Sequence, residues 1–111
     1  MLKALMDLGL LKTDAEVYIF LATKAPQKAS DIAKALKMKN QRLHACLRNL
    51  QNRGIITCTE EHPKFFFALP IEEALSLFIK ANLKEVQQME ANRDKILSLW
   101  RLMMKENKHP P

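Results

Sequence analysis

Glycine and long apolar runs are scarce in this sequence of 111 residues. Gly9 and Gly54 are its only glycines, and residues that favour helices are abundant, so we predict a mainly α-helical protein with one modest core. No apolar run approaches the roughly eighteen residues that cross a membrane, and the N-terminus lacks a signal-peptide pattern. We therefore expect a cytoplasmic protein with no membrane partner.

Cysteine and histidine are also too few, and too irregularly spaced, for a disulfide framework or a zinc site. Cys46 and Cys58 form no CxxC motif, and a Cys58–His62 pair supplies only half of the roughly four ligands that zinc requires. Gly-rich phosphate loops, HExxH motifs and nucleophile elbows are missing too. We predict no metal, no cofactor and no enzymatic activity.

Acidic residues are missing between Asp31 and Glu60, although this stretch holds six of the 18 Lys and Arg residues of the chain. The formal charge of the whole chain is +6, which favours a polyanionic partner. Solubility is better served by mixed signs, so these uncompensated cations indicate a binding face. For each single Lys or Arg, the alternative is an ordinary solvated surface charge.

The N-terminal quarter of the sequence predicts two helices. A short helix over 2–8 ends at Gly9, whose tolerance of positive φ suits a helix end. The sequence Thr13-Asp14-Ala15-Glu16 matches a capping box, in which the Thr13 side chain accepts a hydrogen bond from a free backbone N–H and Glu16 reaches back to the cap. The apolar helix that starts there is predicted to end before Pro26.

Two further helices follow, joined by a tight turn. Ser30 is the predicted N-cap of a short helix that ends before the polar turn Lys37-Met38-Lys39-Asn40. A basic helix is predicted over 40–53, with Gly54 at its C-terminal end. Its apolar residues recur at helical spacing: Leu43, Cys46, Leu47 and Leu50.

After this helix the pattern changes from helix to strand. A β-branched stretch over 55–59 and an aromatic stretch over 64–69 flank a polar segment, which predicts a two-stranded hairpin. Alternation places Phe66 and Ala68 on the core face and leaves Phe65 and Phe67 on the other face. That second face is covered either by the last helix or by a partner chain.

From Ile71 to about Asn107 there is no Gly or Pro, which permits one long helix with a frayed tail from Lys105 onward. Apolar residues along it alternate steps of four and three, as in a coiled-coil seam that is interrupted by Asn82 and Arg93. We predict a homodimer, parallel or antiparallel, through these seam residues: Leu75, Ile79, Val86, Met89, Ile96, Trp100 and Met103. The alternative is an amphipathic helix that folds back on its own domain.

This order of elements is that of a mainly α winged helix-turn-helix, with a two-stranded β wing and a long C-terminal dimerisation helix. We expect the DNA-binding domain over 1–70 and the coiled-coil-like helix over 71–111. The segments LGLLKTDAEVYIFLATKAPQKASDIAKAL, NLQNRGII and FFFALPIEEAL resemble the DNA-binding domain of the TrmB family of archaeal transcriptional regulators. The resemblance covers roughly residues 5 to 79.

The resemblance implies sequence-specific binding of double-stranded DNA, with the second helix of the motif in the major groove. The residues opposite its apolar face are then candidates for reading bases: Gln41, His44, Ala45 and Arg48. Candidates for contacts with the DNA backbone are Ser30, Lys37, Lys39, Asn40, Arg42 and, in the wing, Lys64. Glu60 and Glu61 at the wing tip oppose close approach to phosphate.

Two alternatives remain open at this point. The same fold could dock a protein partner with an acidic surface, or it could bind DNA without sequence preference, as chromatin proteins do. Larger members of the family carry a C-terminal sugar-sensing domain. This sequence shows none, so we expect no small-molecule ligand.

Overall fold

A computed structural model describes residues 1–107, which form five helices and one two-stranded sheet. The elements in chain order are α1 (Leu2–Asp7), α2 (Lys12–Thr23), α3 (Ala29–Leu36), α4 (Asn40–Asn52), β1 (Ile56–Cys58), β2 (Phe66–Ala68) and α5 (Ile71–Asn107). The predicted mainly helical class, the hairpin and the long last helix are confirmed. Residues 105–107, expected to fray, are helical, and residues 108–111 lie outside the described part of the chain.

The chain divides into two compact units, Met1–Phe78 and Ile79–Pro111. The first unit takes in the beginning of α5 because Ala74 and Phe78 are buried in its hydrophobic core. The same core buries apolar residues of α2, α3, α4 and β1, among them Val17, Ile32, Leu50 and Ile55. Burying each such side chain stabilises the fold by about 1.5–3 kcal/mol.

Two predicted helix starts are wrong. The N-cap of α2 is Leu11 and that of α3 is Lys28, both with extended backbone and neither with a side-chain capping hydrogen bond. Thr13 therefore lies inside the first turn of α2 and forms no capping box, and Ser30 lies inside the first turn of α3. Each helix instead carries an Asp in its first turn, whose charge stabilises the positive end of the helix dipole.

The turn between α3 and α4 depends on Lys37, which has φ 54° and ψ 45°, the left-handed conformation that L residues rarely adopt. In this conformation the backbone N–H of Met38 bonds to the carbonyl of Ala33 at 2.9 Å and closes α3. Lys39 then returns to extended backbone as the N-cap of α4. The left-handed residue costs about 1 kcal/mol because its Cβ crowds the following carbonyl oxygen.

β1 and β2 pair antiparallel, with Thr57 opposite Phe67 at the centre of the register. The pairing continues toward the loop, because the Thr59 N–H donates to the Phe65 carbonyl at 3.0 Å. The Phe65 N–H in turn donates to the Thr59 hydroxyl at 3.0 Å. On the other edge of β2, Gln27 and Phe66 exchange two backbone hydrogen bonds of 3.0 and 2.8 Å. This bridge adds the equivalent of a third strand, one residue long, which the sequence pattern does not predict.

The predicted alternation in β2 is confirmed. Phe66 is buried, and Ala68 packs against the core. Phe67 is 37% exposed, whereas Phe65 is half-buried and has the Lys28 ammonium 5.9 Å from its ring centroid. Neither side chain is fully buried, so both alternatives for this face stay predictions.

The end of the sheet is tied to α2 through Tyr18. Its hydroxyl donates a hydrogen bond of 2.7 Å to the carbonyl of Leu69. Burial raises the pKa of Tyr18 above its usual value, and the nearby Glu72 carboxylate raises it further, so the hydroxyl keeps the proton that it donates. The bond spans 51 residues of sequence and holds the hairpin against the helices.

α5 is 37 residues long, and its residues 79–106 are exposed along their whole length. The predicted seam residues range from 37% exposed at Leu75 to 67% at Met89. In the part of the chain that the structure describes, no helix is long and apolar enough to span a membrane.

Lys37→Gly should stabilise the fold, because glycine adopts the left-handed conformation without a Cβ to crowd the backbone. We expect its free energy of unfolding in urea to exceed that of Lys37→Ala by about 1 kcal/mol. Lys37→Ala is the matched control, since it removes the same charge but keeps a Cβ. Equal stability of the two variants would contradict a cost at this turn.

Candidate nucleic-acid interface

α4 presents two faces of opposite character. Its apolar side chains are almost fully buried against the rest of the first unit: Leu43, Cys46, Leu47 and Leu50. Residues on a helix advance by about 100° each, so this burial turns the opposite side outward. All four predicted base-reading residues are exposed on that side: Gln41, His44, Ala45 and Arg48.

The N-terminal end of α4 is basic. Unlike α2 and α3, it has no acidic residue in its first turn, and its N-cap is Lys39. Lys37, Lys39, Asn40 and Arg42 are all exposed here. Asn40 is the first residue of the helix and makes no capping hydrogen bond through its side chain. The free backbone N–H groups of this helix start, together with three cations, create a positive region.

A trough connects α4 with the hairpin. One hollow of about 290 Å³ is lined by residues of α4, β1, β2 and the loop between the strands: His44, Leu47, Arg48, Gln51, Cys58, Lys64 and Phe66. A second hollow of about 340 Å³ is bounded by His44, Lys64 and Phe66 as well, and it reaches Ser30 at the start of α3. The two hollows share three lining residues and together form the trough. Four predicted contact residues from three separate stretches of sequence line one or both hollows: Ser30, His44, Arg48 and Lys64.

Lys28 also lines this trough, although it is not among the candidates for contact with DNA that the sequence predicts. It lines the hollow beside Ser30, caps α3 through its backbone, and lies over the ring of Phe65. The sequence signal for Lys28 is a cation placed directly before a helix. Serine is a more common N-cap residue than lysine, so the sequence favours Ser30 at this position.

Arg53 has a structural role. Its guanidinium donates a hydrogen bond of 3.3 Å to the carbonyl of Gly9 and lies 5.9 Å from the ring centroid of Phe78. These contacts join the end of α4 to the loop after α1 and to the start of α5. One of the six cations in the acid-free stretch thus stabilises the fold through a hydrogen bond and a cation–π contact.

Beneath the exposed face, the thiol of Cys46 is held by the start of α2. Burial raises the pKa of Cys46, and a hydrogen bond to the Asp14 carboxylate raises it further, while Thr13 and Arg42 lower it. Asp14 is itself buried and lies in the first turn of α2. The N-terminal turn of α2 therefore lies near the middle of α4, in agreement with the packing of these two helices.

The tip of the hairpin carries Glu60 and Glu61, both exposed. That these glutamates oppose close approach to phosphate stays a prediction. His62 is exposed beside Pro63 and lines the second hollow. Among residues 1–107, no three His, Cys, Asp or Glu side chains come together as metal ligands.

Comparison with known proteins gives one matching family model. A family model described as "Sugar-specific transcriptional regulator TrmB" matches residues 5–72, more than half of the chain. No curated protein sequence matches it.

Solved structures of transcriptional regulators share the fold. A possible transcriptional regulator from Methanosarcina mazei Go1 has a TM-score of 0.63 at 11% identity, over 81% of this chain and 82% of that one. The transcriptional regulator Tm0710 from Thermotoga maritima has a TM-score of 0.57 at 16% identity, over 97% and 85%. MepR, a regulator of the multidrug efflux pump MepA of Staphylococcus aureus, has a TM-score of 0.56 at 19% identity, over 93% and 84%. At such identities the similarity establishes the fold alone.

Cys58 should react with a thiol reagent well before Cys46. Cys58 is half-buried in the trough, whereas Cys46 is buried and has a raised pKa, which lowers its thiolate fraction near neutral pH. We expect labelling of the native protein to be at least about tenfold faster at Cys58. Cys58→Ser should remove the fast phase, and a fast phase that persists would contradict the burial of Cys46.

Proposed function

Because this chain belongs to the TrmB family of transcriptional regulators and has their winged-helix fold, we propose that it binds specific double-stranded DNA sequences as a homodimer. The observation that carries the proposal is the outward face of α4, which is acid-free and opens onto the trough lined by Arg48 and Lys64. A regulator that reads DNA needs such a convex, exposed helix beside a cationic surface.

We infer that α4 enters the major groove, which is about 12 Å wide and admits one helix. Gln41 would pair with an adenine edge and Arg48 with a guanine edge, while the Ala45 methyl would contact a thymine methyl. His44 lies where both hollows of the trough meet and would reach bases or a phosphate on the hairpin side. Each good base pairing discriminates by about 1–3 kcal/mol.

Phosphate contacts would come from the two ends of this face. At the α4 start, the free N–H groups and the side chains of Lys37, Lys39, Asn40 and Arg42 would bind one backbone strand. Across the trough, Ser30 and Lys64 would bind another, and Lys28 joins them because it lines the same hollow. These contacts fix position on the duplex and make affinity strongly dependent on salt.

The homodimer is proposed from the exposure of the seam on α5. Apolar side chains at alternating steps of four and three remain 37–67% exposed over seven positions, an apolar surface that a single small domain rarely leaves open. Their exposure supports pairing with a second chain. The exposed side chain of Phe67 is a further candidate for a contact with a partner chain.

Arg48→Ala should abolish sequence preference more than Lys39→Ala does. We expect Arg48→Ala to lose about 1–3 kcal/mol of discrimination between a preferred genomic fragment and a random duplex. Lys39→Ala should weaken both about equally and lower the slope of log affinity against log salt by about 1. Binding isotherms over a salt series measure both quantities, and equal losses in the two variants would remove Arg48 from base reading.

The same titration distinguishes the proposed function from the two alternatives, DNA binding without sequence preference and docking of a protein partner. Affinity that falls steeply with salt, without preference for any fragment, would indicate a chromatin-like binder. No binding to DNA at low salt would leave the protein-interaction module as the remaining function of the basic face.

Val86→Asp should dissociate the dimer, because each chain would place a charge in an apolar seam. We expect the dimer dissociation constant, from light scattering over a dilution series, to rise at least about tenfold. Ser98→Asp is the matched control, since it adds the same charge on the side of α5 away from the seam. A wild-type chain that is monomeric at micromolar concentration would contradict the homodimer.

A further inference from the structure

We propose that α5 pairs with α5 of a second copy in antiparallel orientation, centred between Gln87 and Gln88. In this register Ile79 lies opposite the partner's Ile96, Asn82 opposite the partner's Arg93, and Val86 opposite the partner's Met89. The inference rests on the proposed homodimer and adds its orientation and register, which the spacing of apolar residues alone leaves open.

This register is inferred from the two polar seam positions, Asn82 and Arg93. Asn82 and Arg93 are placed symmetrically about the centre of the pair, as are Ile79 and Ile96, and Val86 and Met89. Antiparallel pairing about this centre therefore matches apolar with apolar and polar with polar at every one of these levels. The Asn82 amide oxygen accepts a hydrogen bond from the guanidinium of the partner's Arg93, and the symmetric copy of this contact forms at the other end.

Other registers lose this match. A shift by one heptad in one direction sets Asn82 against the partner's Trp100 and Arg93 against the partner's Met89. A shift in the other direction sets Asn82 against the partner's Val86 and Arg93 against the partner's Leu75. Either shift buries both polar groups beside apolar side chains, where their hydrogen bonds go unmade.

Parallel pairing fails for a different reason. It would match Asn82 with the partner's Asn82, which coiled coils tolerate, but it would also place Arg93 directly against the partner's Arg93. Like charges that face each other across an interface repel. The antiparallel register keeps the two arginines at opposite ends of the seam.

Disulfide cross-linking tests the register. Ile79→Cys and Ile96→Cys are each made in a Cys58→Ser background, with the buried Cys46 retained, and one of them carries a size tag. Mixed, re-equilibrated and oxidised, the two variants should form a cross-linked heterodimer, because residues 79 and 96 face each other. Ile79→Cys alone should form none, since its two copies would lie about 25 Å apart along the helix at roughly 1.5 Å per residue, beyond the roughly 7 Å reach of a disulfide.

Each outcome is decisive. Cross-linking of Ile79→Cys with itself would establish parallel pairing and overturn the proposal, and a stable dimer in which neither combination links would overturn the register. The cysteine background without added thiols is the control for links through Cys46. Light scattering on the unmodified chain keeps the two claims separate: a monomer would remove the homodimer itself, whereas DNA titration continues to test the proposed DNA binding.

Asn82→Glu gives an independent test with a gain of function. Opposite the partner's Arg93 it would form two symmetric ion pairs, so the dimer dissociation constant should fall by about 2- to 20-fold at low salt. In parallel pairing the two glutamates would face each other and the constant would rise. In an Arg93→Gln background the gain should vanish, and a gain that survives there would contradict the contact.

Discussion

The orientation of α4 depends on one packing constraint, the burial of its apolar stripe against α2, α3 and the rest of the first unit. Leu43, Leu47 and Leu50 are at most 2% exposed, so a rotation of the helix by even one residue would bring a polar side chain into the core. The direction in which His44 and Arg48 point is therefore a consequence of the core.

Acidic residues are distributed unevenly among the helix starts, which leaves the start of α4 positively charged. α2 and α3 each carry an aspartate in the first turn, which neutralises the positive end of the helix, whereas α4 has none. The cations around its start repel one another in the free protein and lower its stability. A polyanion relieves this repulsion, so the feature that costs stability in the free chain favours binding.

The sequence predicts those features that repeat with a period. The apolar stripe of α4 and the alternation of Phe66 and Phe67 follow from spacing, and the structure agrees with both. The long α5 follows from the absence of Gly and Pro between Ile71 and Asn107, and it is also present. Helix starts follow from spacing less well, because Leu11 and Lys28 act as N-caps by their backbone conformation alone. A side-chain motif such as Thr13 to Glu16 cannot reveal that choice.

The sequence does not predict features that depend on a single contact between distant residues or on the conformation of a single residue. Gln27 pairs with Phe66, Arg53 bonds to Gly9 across 44 residues of sequence, and Lys37 takes a left-handed conformation that Gly or Asn would have signalled. None of these has a repeat or a motif. In the candidate interface, the sequence predicts the exposed face of α4. Only the folded structure shows that Ser30 and Lys64 line a trough beside this face.

The Gln27–Phe66 bridge has a consequence for motion. It holds β2 from the side opposite β1, and Tyr18 holds its end at Leu69, so the base of the hairpin opens only when the helical core opens with it. Beyond Thr59 and Phe65 the loop has no such partner strand. Fluctuations of the hairpin are therefore confined to residues 60–64, so Lys64 can shift on a fast timescale while the base of the hairpin stays fixed against the helices.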